Sequence, residues 1–371
     1  MDLLEHLKIV NQYDLRQKGK IKHQLHEIVG ISFFAIIANT QDCVDIQHFA
    51  EHHLQELRTI FTLKHGIPSH DTISRTFAML DPKYLQQFQQ HFNQLLTTGE
   101  GEKLRKIFAI DGKTQKGNQS KTHKPNHIVS VVDENGFCLG QEIVDEKSNE
   151  ITAIPELINN LNVKGHTITL DAMGTQREIA RKIRQKRANY VLALKANQKT
   201  LYLETSMCFE DPEFLVKCQY HRTVEKVRGV IEQREYWQSD DIGGLSGRRD
   251  WAGLRSIVMT KNTIIKDDGV EVSVQSRFFI SSLCLDVVEV ARAVRGHWMV
   301  ESAHWHLDVT FGEDDDHTLD EFVAFNLNIL RKLALNFLRL VDVGKKGVSL
   351  RKKRYIISFN LTKHIQQLLA A

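Results

Sequence analysis

The spacing of apolar residues changes once along this chain, near residue 100, and that change constrains the architecture more than any other feature. From Lys20 to about Phe92 they recur at helical intervals: Ile28, Ile31, Phe34 and Ala35, then Phe49, Leu54 and Leu57, then Ile73, Phe77 and Leu80. Past the turn-rich segment 97–103 the apolar runs shorten to strand length. Ile107-Phe108-Ala109-Ile110 leads into Asp111-Gly112-Lys113-Thr114 and predicts a buried strand ending at an acid. Strands are predicted over 127–132 and 137–144, joined by Asp133-Glu134-Asn135-Gly136, because Asn-Gly supplies the backbone that a tight hairpin needs. A helix over 151–161, a strand over 166–170 ending at Asp171, a helix over 175–186 and a strand over 190–194 complete a β-β-β-α-β-α-β order.

That order has the layout of an α/β, ribonuclease-H-like core. A strand-rich, turn-rich stretch then predicts a β-rich insertion, and Asp286 caps a long helical pattern reaching Leu307. The expected organisation is a small all-α N-terminal domain over 1–97, the first part of the core over 104–212, the insertion over 213–283, the second part of the core over 284–345 and a basic segment over 346–371. Within the first domain, Gly66-Ile67-Pro68-Ser69 ends one helix and offers Ser69 or Asp71 as cap of the next, which turns His70, Thr72, Ser74 and Arg75 outward. Such a pair is compatible with a DNA-reading helix-turn-helix or with an ordinary helical hairpin. Trp298 and Trp305, seven apart, are expected on the inner face of the later helix.

Export and membrane insertion are not expected. The chain starts with Asp2, Glu5, His6 and Lys8 rather than a signal peptide, and its most apolar stretch, 28–38, is too short to span a bilayer. Five dispersed cysteines suggest neither disulfides nor structural zinc, so a cytoplasmic setting fits. Lys+Arg 49 against Asp+Glu 46 gives no global signal for nucleic acid. Locally the picture differs: nine Lys/Arg lie between Arg331 and Arg354 against the single acid Asp342, and Lys345, Lys346, Arg351 and Lys352 are the leading phosphate-contact candidates. Lys113 and Lys116, just past the first acid, are further candidates.

Three carboxylates on separate elements, Asp111, Asp171 and Glu301, are the candidate chemistry. Phosphodiester cleavage uses divalent cations, in pairs roughly 3.5–4 Å apart, and Mg²⁺ prefers oxygen ligands. With 46 acids in the chain, spacing alone does not single these out. His297, Glu301 and His304 share a helix face with Asp308 and form a minor alternative, a zinc set.

Several longer blocks carry a resemblance. They are Gly66-Ile67-Pro68-Ser69-His70-Asp71-Thr72, Ala109-Ile110-Asp111-Gly112-Lys113-Thr114, the stretch from Asp145-Glu146-Lys147-Ser148-Asn149-Glu150-Ile151 to Pro155, Thr169-Leu170-Asp171-Ala172-Met173-Gly174-Thr175-Gln176, Tyr190 through Gln198, and Arg295-Gly296-His297-Trp298-Met299-Val300-Glu301 with His304 through Val309. In this order, across nearly the whole chain, they resemble the H-repeat-associated DDE transposases of bacterial insertion sequences, the ISAs-one group. The resemblance implies a ribonuclease-H-like domain with Asp111, Asp171 and Glu301 as metal-binding triad, and Mg²⁺ (with Mn²⁺ as substitute) in a two-metal site. It also implies hydrolysis at element ends followed by strand transfer into target DNA, and a homodimer joining two ends. Arg295 and His297 become DNA-contact candidates on the same ground. Where broader relatives carry Tyr, Arg and Lys around the final Glu, this chain has Val294, His297 and Asp308; it has Val227-Arg228-Gly229-Val230 in the insertion and His317 through Phe322 after Glu313-Asp314-Asp315-Asp316. The alternative is a decayed or domesticated relative that binds DNA without cutting it.

Overall fold

A computed structural model describes residues 3–97, 106–120, 124–144, 149–227, 229–266, 271–361 and 363–364. The segment 98–103, Asp145-Glu146-Lys147-Ser148, Arg228 and the chain end past His364 therefore lie outside the described residues. Six helices come first: α1 (Leu3–Ile9), α2 (Leu25–Ile37), α3 (Cys43–His52), α4 (Leu54–Arg58), α5 (His70–Met79) and α6 (Pro82–Thr97). The α/β part follows as β1 (Ile107–Thr114), β2 (His127–Asp133), β3 (Cys138–Ile143), α7 (Glu150–Asn159), β4 (Thr167–Leu170), α8 (Arg177–Gln185) and β5 (Asn189–Leu194). Next come α9 (Lys199–Glu210), α10 (Pro212–Lys217), β6 (Gln219–Val227), β7 (Val230–Ser239), β8 (Ser256–Lys266) and β9 (Glu271–Ser281). The chain closes with α11 (Val287–Trp305), α12 (Glu321–Leu340) and α13 (Leu350–Phe359).

The strands make one mixed sheet in the order β3-β2-β1-β4-β5-β9-β8-β7-β6. β1 pairs antiparallel with β2 and parallel with β4, and β4 pairs parallel with β5. The strands of the expected insertion extend this same sheet, because β9 pairs antiparallel with β5, Val191 opposite Ser281. Local chemistry starts the helices: α3, α5, α7, α11, α12 and α13 each begin at Asp42, Ser69, Asn149, Asp286, Asp320 or Ser349, whose side chain accepts a first-turn N–H.

Alternation along β1 divides the molecule. Phe108 and Ile110 face a core with α7 and α8, through Ile154, Leu157, Ile179 and Ile183. Ala109 faces the other side, where Val300, Ala303 and Leu307 of α11 and the whole of α12 pack. The N-terminal helices share that second core: Ile28, Phe34, Ile73 and Phe77 belong to one buried cluster with Leu327, Leu330 and Leu333. Side chains on α12 bind them to the sheet, since buried Asn326 donates to the carbonyls of Phe77 and Leu80 while Asn336 bonds Asn93 and Cys138.

The expectation for the tryptophans is corrected. Trp298 and Trp305 are 40% and 54% exposed. The inner track of α11 is Val290, Ala293, Val300, Ala303 and Leu307, and Trp298 and Trp305 lie to one side of it.

Candidate active site

The parallel pairing of β1 with β4 ends at Ile110 opposite Leu170. Asp111 and Asp171 are the next residue along each strand, so two acids stand side by side where the parallel pairing stops. β1 itself continues to Thr114 because β2 still pairs there, which places Asp111 within the strand rather than at its end. The Oδ1 of Asp171 accepts from the N–H of Gly174, which fixes the turn after β4.

A third acid joins them, and it is Glu150, the first residue of α7. Ligand oxygens of Asp111, Glu150 and Asp171 all lie within 4.8 Å of one another. Burial first, then the charges of Asp171 and Glu150, push the Asp111 carboxyl up to about 7. Three acids held this close repel one another unless a proton or a cation lies among them, so the donor set suits a hard divalent ion. Glu301 stands on the exposed side of α11 and is outside this 4.8 Å group, although its charge is among those that raise Asp111. Burial also raises the Glu301 carboxyl, against the opposing pull of Arg277.

Two histidines of α11 face inward. His304 brings Nδ1 to 3.8 Å from Asp111 Oδ2 and leaves a buried Nε2 without a partner among the described residues. Burial lowers it to about 3, so it is neutral at ordinary pH. His297 bonds Thr169 of β4 through Nδ1 at 3.0 Å, and burial lowers it to about 4. The structure thus sets His297, expected as a DNA contact, facing inward with its ring on a strand hydroxyl. Among the described residues, His297, Glu301 and His304 do not converge as a zinc set.

Lys113, another expected DNA contact, lies among acids. Its Nζ lies 2.7 Å from Asp308, 2.8 Å from Glu313 and 3.4 Å from Asp314. The end of α11 widens into a π-type turn over His306–Thr310, which carries Asp308 to this lysine. Glu313 is buried; burial opposes its charge, but Lys113, Arg331 and Lys332 outweigh that and hold it down at about 2. Lys116 is exposed and only its backbone N–H bonds Asp314. Arg295 is exposed and lines a groove between α11 and the outer strands with Arg234, Lys261, Arg277 and Trp298, the Arg277 guanidinium lying 5.3 Å from the Trp298 ring.

The basic end divides. Lys345, Lys346, Arg351 and Lys352 are exposed. Arg331, Lys332 and Arg354 are buried, bonded to Asp316, to Ser130 and to the carbonyls of Thr310 and Ile36, while Lys353 caps the carbonyls of Leu338 and Val341. On α5, Ser69 is the cap, and His70 and Arg75 are exposed while Thr72 and Ser74 are half-buried.

Paired aspartates thus stand side by side where two parallel strands stop pairing, with α11 packed on that face of the sheet. The family described as "Transposase DDE domain" matches residues 102–337, and the one described as "DDE_Tnp_1-associated" matches residues 4–94. The chain belongs to the DDE transposases, in their H-repeat-associated group. It is 35% identical over 380 residues to "Putative transposase YncI" of Escherichia coli O157:H7, which covers 100% of this chain and 94% of that one. It is 33% identical to "Putative protein YbfL" and 32% identical to "H repeat-associated putative transposase YhhI", both of Escherichia coli K12, each over 370 residues and 96% of both chains. Glu150, which the sequence does not single out, is the first residue of α7, whose N-terminus the Asn149 side chain caps.

Proposed function

We propose that this chain cuts DNA at the ends of its insertion sequence in a metal-dependent reaction and transfers the freed 3′ ends into target DNA. The observation that carries the reading is the adjacency of Asp111 and Asp171 where the parallel pairing of β1 with β4 stops. The strand order β3-β2-β1-β4-β5, with α7 and α8 on one face and α11 on the other, supports a ribonuclease-H-like core. Asp111 and Asp171, with Glu301 approaching from α11, would hold Mg²⁺ or Mn²⁺. When bound, such ions activate the attacking oxygen and stabilise the leaving one.

The chain's own residues do the rest. His304, neutral and buried against Asp111, excludes water from that side of the carboxylate without adding positive charge. Lys113 balances Asp308, Glu313 and Asp314, so the acid-rich turn packs beside the site rather than repelling it. Burial and the neighbouring acids push the Asp111 carboxyl up, so a cation bound there would offset the repulsion among the acids.

Transposon ends and target DNA are the partners. Lys116, Arg295, Lys345, Lys346, Arg351 and Lys352 are the exposed cations that would meet phosphate. The helices over 1–97 would assist in end binding, two copies would join two ends, and the site of action would be the bacterial cytoplasm. No described helix is long and apolar enough to cross a membrane.

The test is cleavage of a labelled duplex carrying the flanking element end, with Mg²⁺ or Mn²⁺. Asp171→Asn should lower metal-dependent 3′ nicking on the order of 10³-fold and leave DNA binding intact. End binding without nicking by the natural chain would instead support a transposase relative that only binds DNA.

A further inference from the structure

We propose that Glu150 is a metal ligand of this site alongside Asp111 and Asp171, and that His127 is the residue that orients it. The inference rests on the metal-dependent reading above and adds residues to it.

Glu150 reaches the acids from the opposite face of the sheet. β1 alternates, so Asp111 faces α11 while residue 112 faces α7. A Cβ at Gly112 would lie 2.2 Å from Glu150 Oε1 and 2.6 Å from His127 Nε2. The glutamate and imidazole thus occupy the volume that any other residue's side chain would fill. The glycine of the Asp-Gly-Lys-Thr segment is what opens the strand edge and lets a carboxylate from α7 come over it. This requirement concerns space, since the backbone at Gly112 is ordinary strand.

The carboxylate is then aimed. Glu150 Oε1 sits 2.6 Å from His127 Nε2, and His127 Nδ1 sits 2.8 Å from Thr114 Oγ1. A carboxylate only accepts, so Nε2 carries the hydrogen toward Glu150, while Nδ1 is held by the threonine hydroxyl. A carboxylate held by an oriented imidazole is the kind of outer support that metal ligands receive. Glu150 itself is 9% exposed. His304, whose Nδ1 lies 3.8 Å from Asp111 Oδ2, leaves its buried Nε2 without a partner among the described residues. A carboxylate whose role was only to favour the start of α7 would be served by solvent; this one is buried, braced by a ring and set within 4.8 Å of two other acids.

Mn²⁺ binding to the full-length chain, followed by calorimetry and by electron paramagnetic resonance, tests this apart from catalysis. Glu150→Gln keeps an oxygen for His127, so melting should be unchanged without metal, while Mn²⁺ affinity falls about tenfold or more and nicking falls with it. Glu150→Asp, which retains the charge but withdraws it by one methylene, should fall between. His127→Phe should weaken Mn²⁺ binding by a smaller factor, a loss that a merely structural contact would not produce. Mn²⁺ affinity within twofold of the natural chain in both Glu150 variants, with Asp111→Asn still abolishing binding, overturns the role of Glu150 and leaves the metal-dependent reading standing. If Asp111→Asn also binds Mn²⁺ and nicks normally, both fall.

Discussion

Arg331, Lys332 and Arg354 are 1–2% exposed, whereas Lys345, Lys346, Arg351 and Lys352, a few residues away in sequence, stand in solvent. The buried set holds the interior together. Arg331 joins Asp316 to the carbonyl of Gln41, Lys332 reaches Ser130 opposite Asp111 in the sheet, and Arg354 bonds the carbonyls of Thr310 and Ile36 with its guanidinium 4.3 Å from the Phe311 ring. The exposed set touches no acid among the described ion pairs. Density of positive charge in a sequence therefore says little about affinity for phosphate until burial divides it.

The largest separation between the two sets is expected in stability. Arg331→Met leaves Asp316 buried without its partner and should cost about 3–5 kcal/mol by urea denaturation, much of it recovered in the double variant with Asp316→Leu. A smaller and pH-dependent effect belongs to Lys332. Burial lowers it to about 8, below the ordinary lysine value, so above pH 8 the folded chain has released a proton that the unfolded chain still binds. Stability of the natural chain should rise from about pH 8 towards pH 10, and Lys332→Met should flatten that rise; a parallel profile in the variant would break the assignment. Smallest in stability, and aimed at DNA instead, is alanine at Lys345, Lys346, Arg351 and Lys352 together. The melting temperature should stay put, while binding weakens and its salt slope falls by about 0.9 for each phosphate that is no longer neutralised. An unchanged slope would move the DNA surface elsewhere, the groove beside Arg295 being the next place to look.

Much of the scaffold was legible because single residues force local geometry. Asn135-Gly136 turns the β2–β3 hairpin, with Gly136 at φ +85°, and Asp286 starts α11. Asp111 and Asp171 could be placed because each follows a run of four apolar or β-branched residues that can only be a buried strand. Glu150 was hidden, since its importance comes from a glycine on another element. The surroundings of Lys113 and His297 were not legible because residues far away in sequence, Glu313 and Thr169, supply their partners. The tryptophans misled through spacing: a seven-residue interval identifies a shared face but not which face packs inward, and the small residues Ala293 and Ala303 hold the inward one.

The sharing of one core by α2, α5 and α12 has a consequence for how the protein is made. The N-terminal helices leave the ribosome first, yet the asparagines and leucines that cover them belong to a helix more than two hundred residues later. Chains grow from the N-terminus at roughly 5–20 residues per second, so their apolar faces wait many seconds for their partner. A nascent chain has Asp111 and Asp171 well before it has Glu301 or α12. Under the proposed function, a cutting site is thereby withheld until α11 and α12 have been made, and chaperones have longer access to the N-terminal helices than to the helix that covers them.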